Sequence, residues 1–329
     1  MLNPDLKLNE RLFEQEVEQK PTRDGFGEAL VELGEKDTNV VVLTADLSES
    51  TRTQLFEKKF PERFFEVGVA EQNMAAIAAG LAISGKLVFI ASYATFSPGK
   101  NLETIRTTIA YNNANVKIAG HHSGIMTGPD GATHQATEDL AIMRSLPGMT
   151  VFVPCDAIEA RKATEKSAKI NGPVYLRFSR DKTPVITTNE TPFDENKVQT
   201  FWISQNPKTT IFSCGYMLYY CLLAAKALEQ EGISVLVANV ATIKPTDENS
   251  IINLAKKAGK VVTVEDHQVM GGLGSMISEV LAKHAPTPME FIGLQDTFAE
   301  SGKPEELLSK YNMDEKAIKE AVKKVLTKA

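Results

Sequence analysis

From Thr22 onward, short β-branched and apolar runs alternate with longer helical stretches, and this alternation limits the fold more than any other feature. Amphipathic Asp24 to Glu35 precedes the run Asn39 to Thr44, and helical Thr51 to Lys59 precedes the short strand Phe64 to Val67. An Ala-rich helix, Ala70 to Ile83, leads to the strand Leu87 to Ala91, and helix Lys100 to Tyr111 leads to strand Val116 to Ala119. Helix Gln135 to Arg144, strand Thr150 to Val153, helix Ala157 to Lys169 and strand Val174 to Phe178 close the series. Short apolar strands joined by helices build a parallel sheet covered on both faces.

Asp181 to Pro207 breaks the rhythm with Pro184, Pro192, Pro207 and many Thr, Asn and Glu residues, and reads as a linker. A second α/β series follows, with strands at Thr210 to Cys214, Val235 to Val240, Val261 to Glu265 and Phe291 to Leu294. Its helices are Leu218 to Gln230, Glu248 to Ala258 and Gly274 to His284. No repeat at a fixed period joins the two halves. The expected organisation is an N-terminal extension at 1–20, an α/β domain at 21–182, a linker at 183–207 and a second α/β domain at 208–329.

With 329 residues, 43% of them apolar, the chain can fill two cores. A net charge of −6 leaves no basic stripe for nucleic acid or an anionic membrane. Cys155, Cys214 and Cys221 lack CxxC spacing, which points to a reducing compartment and to neither a zinc site nor a disulfide framework. Met1 to Lys20 is charged, without the apolar core of a signal peptide, and no stretch approaches a membrane span. A cytoplasmic location is expected.

The stretch from Gly120 to Gln135 holds three of the five histidines, an aspartate and several glycines between a strand and a helix. Polar side chains on a Gly-rich loop at the carboxyl end of a parallel strand are what a ligand crevice requires. Glu71 opens the Ala-rich helix. The helix dipole alone favours an acid there, but the small residues Ala75, Ala76, Ala78, Ala79 and Gly80 would bury this helix close to its neighbours. Tyr93 and Phe96 follow a strand, where two aromatics either fill a core or wall a flat heterocycle. Arg23, Ser50, His122 and Arg180 all fall at loop positions on the same expected edge. Together they would make a phosphate clamp of charge-assisted bonds.

The sequence resembles the carboxyl-terminal half of transketolases, thiamine-diphosphate enzymes, and in particular the separate carboxyl-terminal subunit of split transketolases. The matching residues are Thr22-Arg23, Thr44-Ala45-Asp46-Leu47, Gly68-Val69-Ala70-Glu71-Gln72-Asn73-Met74, Asp130-Gly131-Ala132-Thr133-His134-Gln135, Pro154-Cys155-Asp156 and Ser179-Arg180. The second half matches at Ile243-Lys244-Pro245 and at Val264-Glu265-Asp266-His267 with Gly271 to Ser275. The resemblance implies two consecutive open, mainly parallel-sheet α/β domains: a pyrimidine-binding domain, then a transketolase carboxyl-terminal domain.

It also implies roles. Glu71 would hydrogen-bond N1′ of the cofactor's aminopyrimidine, Tyr93 and Phe96 would pack on that ring, and Asp46 would lie beside the cofactor. Tyr93 stands where the family more often has Phe. Asp130 and His134 would bind sugar hydroxyls, and His134 would assist proton transfer, as a histidine can near neutral pH. Arg23, Ser50, His122 and Arg180 would take the sugar phosphate. His121 and His267 have no assigned counterpart. Gly271 to Ser275 could bind an anion at a helix start or simply turn the chain.

The family's diphosphate site, a GDG motif followed by a metal-binding Asn, is not in the sequence. The resemblance therefore implies an amino-terminal partner subunit that carries the diphosphate with Mg²⁺ or Ca²⁺, in an α2β2 heterotetramer of carbohydrate metabolism of the pentose phosphate kind. Two other enzyme readings share the fold. A 1-deoxyxylulose-5-phosphate synthase usually has arginine at the place of His122, and 2-oxo acid dehydrogenase beta subunits generally lack DGxTHQ. A non-catalytic scaffold subunit would be expected to lose Glu71, Asp130 and His134 first.

Overall fold

The computed structural model describes residues 1–328. The chain begins with a 3-10 turn (Pro4–Leu6) and strand β1 (Gln19–Pro21), then α1 (Thr22–Lys36), β2 (Val40–Thr44), α2 (Ser48–Thr51), α3 (Gln54–Lys59) and β3 (Phe64–Glu66). Next come α4 (Glu71–Ile83), β4 (Leu87–Tyr93), α5 (Leu102–Thr104), a π-helical turn (Ile105–Ala110), β5 (Val116–His121) and a 3-10 loop (Ile125–Asp130). The first half ends with α6 (Asp139–Ser145), β6 (Thr150–Phe152), α7 (Ala157–Ser167), β7 (Val174–Arg177) and β8 (Lys182–Pro184). The second half holds β9 (Gln199–Trp202), β10 (Thr209–Ser213), α8 (Met217–Gln230), β11 (Val235–Asn239), β12 (Thr242–Lys244) and α9 (Glu248–Ala258). It closes with β13 (Val261–Gln268), α10 (Leu273–His284), β14 (Met289–Leu294), α11 (Pro304–Lys310) and α12 (Glu315–Leu326).

Two sheets carry the architecture. The first has the order β12-β6-β7-β5-β4-β2-β3 and is parallel except for β12; the second has the order β14-β13-β10-β11-β9 and is parallel except for β9. Strands β2, β5 and β7 are buried along their whole length, which their unbroken apolar runs predict. Phe26, Leu30 and Phe56 from α1 and α3 cover one face of the first sheet. Met74, Ala75, Ala78 and Ile105 cover the other. Burying each of the Phe, Leu, Ile and Met side chains among these contributes about 1.5–3 kcal/mol.

Two expected helices are shorter than their patterns. Gln135 to Glu138 stays non-helical because Ala136 bridges to Ser123 and Gln135 donates to Gly128 O and Glu300 O, so α6 starts only at Asp139. The stretch Lys100 to Tyr111 divides into α5 and the π turn.

The boundaries drawn at 1–20, 183–207 and 208–329 are also crossed. Leu6, Leu8 and Leu12 of the extension are buried in the core of the second half, and Asn3 N donates to Phe201 O at 2.8 Å. β1 pairs antiparallel with β8, so the strand leading into α1 is tied down. β9, within the expected linker, lies antiparallel on β11, and β12 crosses back to the edge of the first sheet against β6. Apolar residues scattered among charges carry no periodic signal, so only the tertiary contacts reveal this packing.

Candidate active site

The order of the first sheet reverses between β2 and β4, and an open α/β sheet leaves a crevice outside the carboxyl ends at such a point. Asp46 stands just past β2 and is exposed, with φ of 61°. Aspartate tolerates this left-handed backbone better than most residues. Its N–H donates to Glu66 Oε1 at 2.8 Å, and Gly68 N donates to the same oxygen. Ser50 lies in α2, and its carbonyl accepts from Arg23 Nη1 at 3.0 Å.

Glu71 opens α4 and is only 2% exposed. Lys100 Nζ donates to Glu71 Oε2 at 2.7 Å, and Asn101 Nδ2 donates to Glu71 O at 3.0 Å and to Ser97 Oγ at 3.2 Å. The loop from Tyr93 to Asn101 therefore locks onto the start of α4. The buried Asn101 Oδ1 is left without a partner.

The same loop supplies an aromatic wall. Tyr93 stacks on His122 with ring centroids 3.9 Å apart and lies nearly parallel to Phe96 at 5.9 Å. The His134 ring stands edge-on to Phe96 at 5.4 Å, and its Nδ1 is 2.9 Å from Thr133 Oγ1. A flat ring surface beside a buried carboxylate, with an unmatched amide oxygen nearby, fits an aminopyrimidine.

Arg23, Arg52 and Arg180, packed around His122, form the cationic side. Arg52 Nε donates to Asp24 Oδ1 at 2.7 Å, and Arg180 Nη1 donates to Thr127 O at 3.3 Å, with Nε 3.8 Å from Asp130 Oδ2. Burial, then the repulsion of Arg52, pulls the Arg23 pKa down, and its Nε is buried without an acceptor. Burial and the nearby Arg23 and Arg180 push His122 down to about 3. His122 is thus a neutral ring near pH 7, and the positive charge comes from arginines. Its Nδ1 is also buried and unpartnered. Unmatched donors among repelling cations suit a multivalent anion.

The crevice thus gathers Glu71, Tyr93, Phe96, His122, His134, Arg23 and Arg180, with Ser50, Asp46 and Asp130 at its rim. His121 turns the other way, fully buried between Phe26 and Phe178 at 5.0 and 4.9 Å. It is a core residue. Arg52, Lys100 and Asn101 were not singled out from sequence. Arg52 stands two residues beyond Ser50, which was the available signal, whereas the reach of Lys100 back to Glu71 had none.

Residues 18–185 match the family of transketolase pyrimidine binding domains, and 201–318 match the transketolase C-terminal domain. A putative transketolase C-terminal section of Methanocaldococcus jannaschii is 44% identical, over 94% of this chain and 97% of its own length. The chain belongs to the transketolase family. Another relative, a 6-deoxy-6-sulfo-D-fructose transketolase subunit of a Clostridium species, is 37% identical over 95% of this chain and 97% of its own. Among solved structures, a split gene transketolase described as an inactive beta4 tetramer aligns with a TM-score of 0.87 and 45% identity, covering 93% of this chain and 98% of that one. Among the described residues, no group of three or more His, Cys, Asp or Glu side chains could hold a metal ion. None of their helices is long and apolar enough to cross a membrane.

Proposed function

We propose that this chain is the carboxyl-terminal subunit of a split transketolase, moving a two-carbon ketol unit from a ketose phosphate to an aldose phosphate. The observation that carries this is the buried Glu71 carboxylate locked against the Tyr93–Asn101 loop at the switch point of the first sheet. Thiamine diphosphate, shared with an amino-terminal partner, would supply the electron sink that makes the two-carbon fragment transferable.

The chain's own residues orient and charge the site. Glu71 would hold the aminopyrimidine nitrogen, with Lys100 as its neighbour at 2.7 Å, while Tyr93 and Phe96 would pack on the ring and Asp46 would lie beside it. Arg23, Ser50, His122 and Arg180 take the sugar phosphate, joined by Arg52. Asp130 and His134 would bind the hydroxyls near the reacting carbons, and His134, whose Nδ1 is 2.9 Å from Thr133 Oγ1, would exchange a proton with a sugar hydroxyl oxygen.

The need for a partner has a physical support. Next to Glu71, α4 leaves Gln72, Asn73, Ala76, Ile77, Gly80 and Ile83 exposed, and Val69 and Ile83 are each more than two-thirds exposed. A partly apolar face beside the site suits another subunit. That subunit would carry the diphosphate and its Mg²⁺ or Ca²⁺ in an α2β2 assembly, working in the cytoplasm in carbohydrate metabolism of the pentose phosphate kind.

Reconstitution tests the reading. The isolated chain should show no ketol transfer, and activity should appear on adding the amino-terminal partner. Glu71→Ala in the reconstituted pair should lower turnover about 10²–10⁴-fold with the melting temperature preserved. Ketol transfer by the isolated chain, or a near-normal Glu71→Ala, would overturn it.

A further inference from the structure

The second sheet has a switch point of its own, between β10 and β13, since β10 connects to β11 on one side and the chain returns through β13 on the other. Ligands of open α/β sheets bind in this crevice. Here a piece of the first domain reaches it. Ile125 and Met126 belong to the hydrophobic core of the second domain, with Tyr216 just past β10 and Val264 of β13. Asp266, near the end of β13, accepts the Ile125 N–H on Oδ1 at 2.9 Å. A Cβ on Gly124, whose φ is +71°, would lie 1.9 Å from Asp266 Oδ2, so the loop backbone rests directly on this carboxylate.

The far end of the loop is held as well. Gln135 Nε2 donates to Glu300 O at 3.1 Å, and a Cβ on Gly131 would meet Ser301 Oγ at 2.4 Å. Arg177 fixes the frame behind it, donating to Asp266 O at 2.8 Å and to Asp139 Oδ2 at 2.8 Å. The loop so gripped is the one bearing His122, Asp130 and His134 on its crevice side.

We infer that the second domain is a clamp for the sugar-phosphate loop, with its ligand crevice filled by that loop, and that Asp266 is the positioning residue that sets the loop's geometry toward phosphorylated sugars. The inference rests on the transketolase reading for the identity of the substrate. It assigns no ligand to the second domain.

Amide exchange and steady-state kinetics on the reconstituted pair test it. In Asp266→Ala, peptides covering 122–131 should lose protection while those of β4 and β5 keep theirs. The KM for phosphorylated donors should rise about tenfold, the size of one lost bond to a charged group. Exchange of the C2 proton of bound thiamine diphosphate, which needs Glu71 and no sugar, should keep its wild-type rate. Asp266→Asn, which retains an oxygen for the Ile125 N–H, should restore most of the protection and of the KM. Gln135→Leu cuts the other tether without touching Asp266 and should loosen the same loop, so the idea stands or falls even where Asp266→Ala does not fold. A loop as protected as wild type in these variants, or a loosened loop with unchanged KM, would overturn the clamp. Exchange needs no catalysis, so an inactive wild-type pair would count against the transketolase reading alone.

Discussion

At the scale of single residues, the proposed phosphate end of the crevice depends on which cations are free. Arg52 is already paired with Asp24, whereas Arg180 is 3.8 Å from Asp130 and makes one bond to a carbonyl. Arg180→Ala should therefore raise the KM for a phosphorylated donor by roughly 10–100-fold, the worth of one or two charge-assisted bonds. An unphosphorylated donor should change much less, and Arg52→Ala should fall between wild type and Arg180→Ala. Equal effects on both donors would remove Arg180 from the clamp. The candidate residues were legible because each sits in a short motif next to a strand end. Arg52 and Lys100 were not, because their partners, Asp24 and Glu71, lie 28 and 29 positions away.

At the scale of elements, α1 delivers Arg23 to the site and must lie against α7 to do so. Gly25 makes that approach possible: a Cβ there would fall 1.9 Å from Ala157 O, backbone that cannot move aside cheaply. Gly25→Ala should cost about 1–3 kcal/mol of stability by overpacking, measured by denaturant unfolding. Because Arg23 rides on the same helix turn, donor KM should rise too. Wild-type stability with alanine here would show that the helices can separate freely. The helices and strands themselves followed from periodicity, except where side chains were committed elsewhere. Asp139 shows why: it begins α6 while its carboxylate holds Tyr175 at 2.6 Å and Arg177 at 2.8 Å.

At the scale of the whole molecule, the two halves share buried polar groups. Asn239 Nδ2 donates to Glu159 Oε1 at 2.9 Å, and His267 accepts from Ala141 N while its Nδ1 faces Gln268 O at 2.6 Å. Burial pushes His267 from 6.5 down to about 4, with Asp139 opposing and Arg177 adding to the shift. A depressed histidine contributes stability that is complete above pH 6.5 and is lost as pH falls toward 4. The stability advantage of wild type over His267→Gln should therefore shrink by about 2–3 kcal/mol between pH 7 and pH 4. Glu265, 3.7 Å away, works the other way. Burial raises it to about 7, so its contribution is present below 4.5 and fades as pH rises. The comparison with the variant isolates the histidine, and a pH-independent gap would show that His267 does not titrate with folding.

The sequence by itself determined the elements, the parallel sheets and the short motifs, because strand runs, helix periodicity and loop residues act on neighbours in the chain. The tertiary structure decided what those motifs face. It made His122 a neutral ring among arginines, because burial and repulsion outweigh the ordinary preference of a surface histidine. It sent His121 into the core one residue earlier, folded the charged N-terminus onto the second domain, and seated the His122–His134 loop on Asp266. Each of these is a contact between distant residues, and its strength depends on the dielectric and packing around it. Local sequence carries neither.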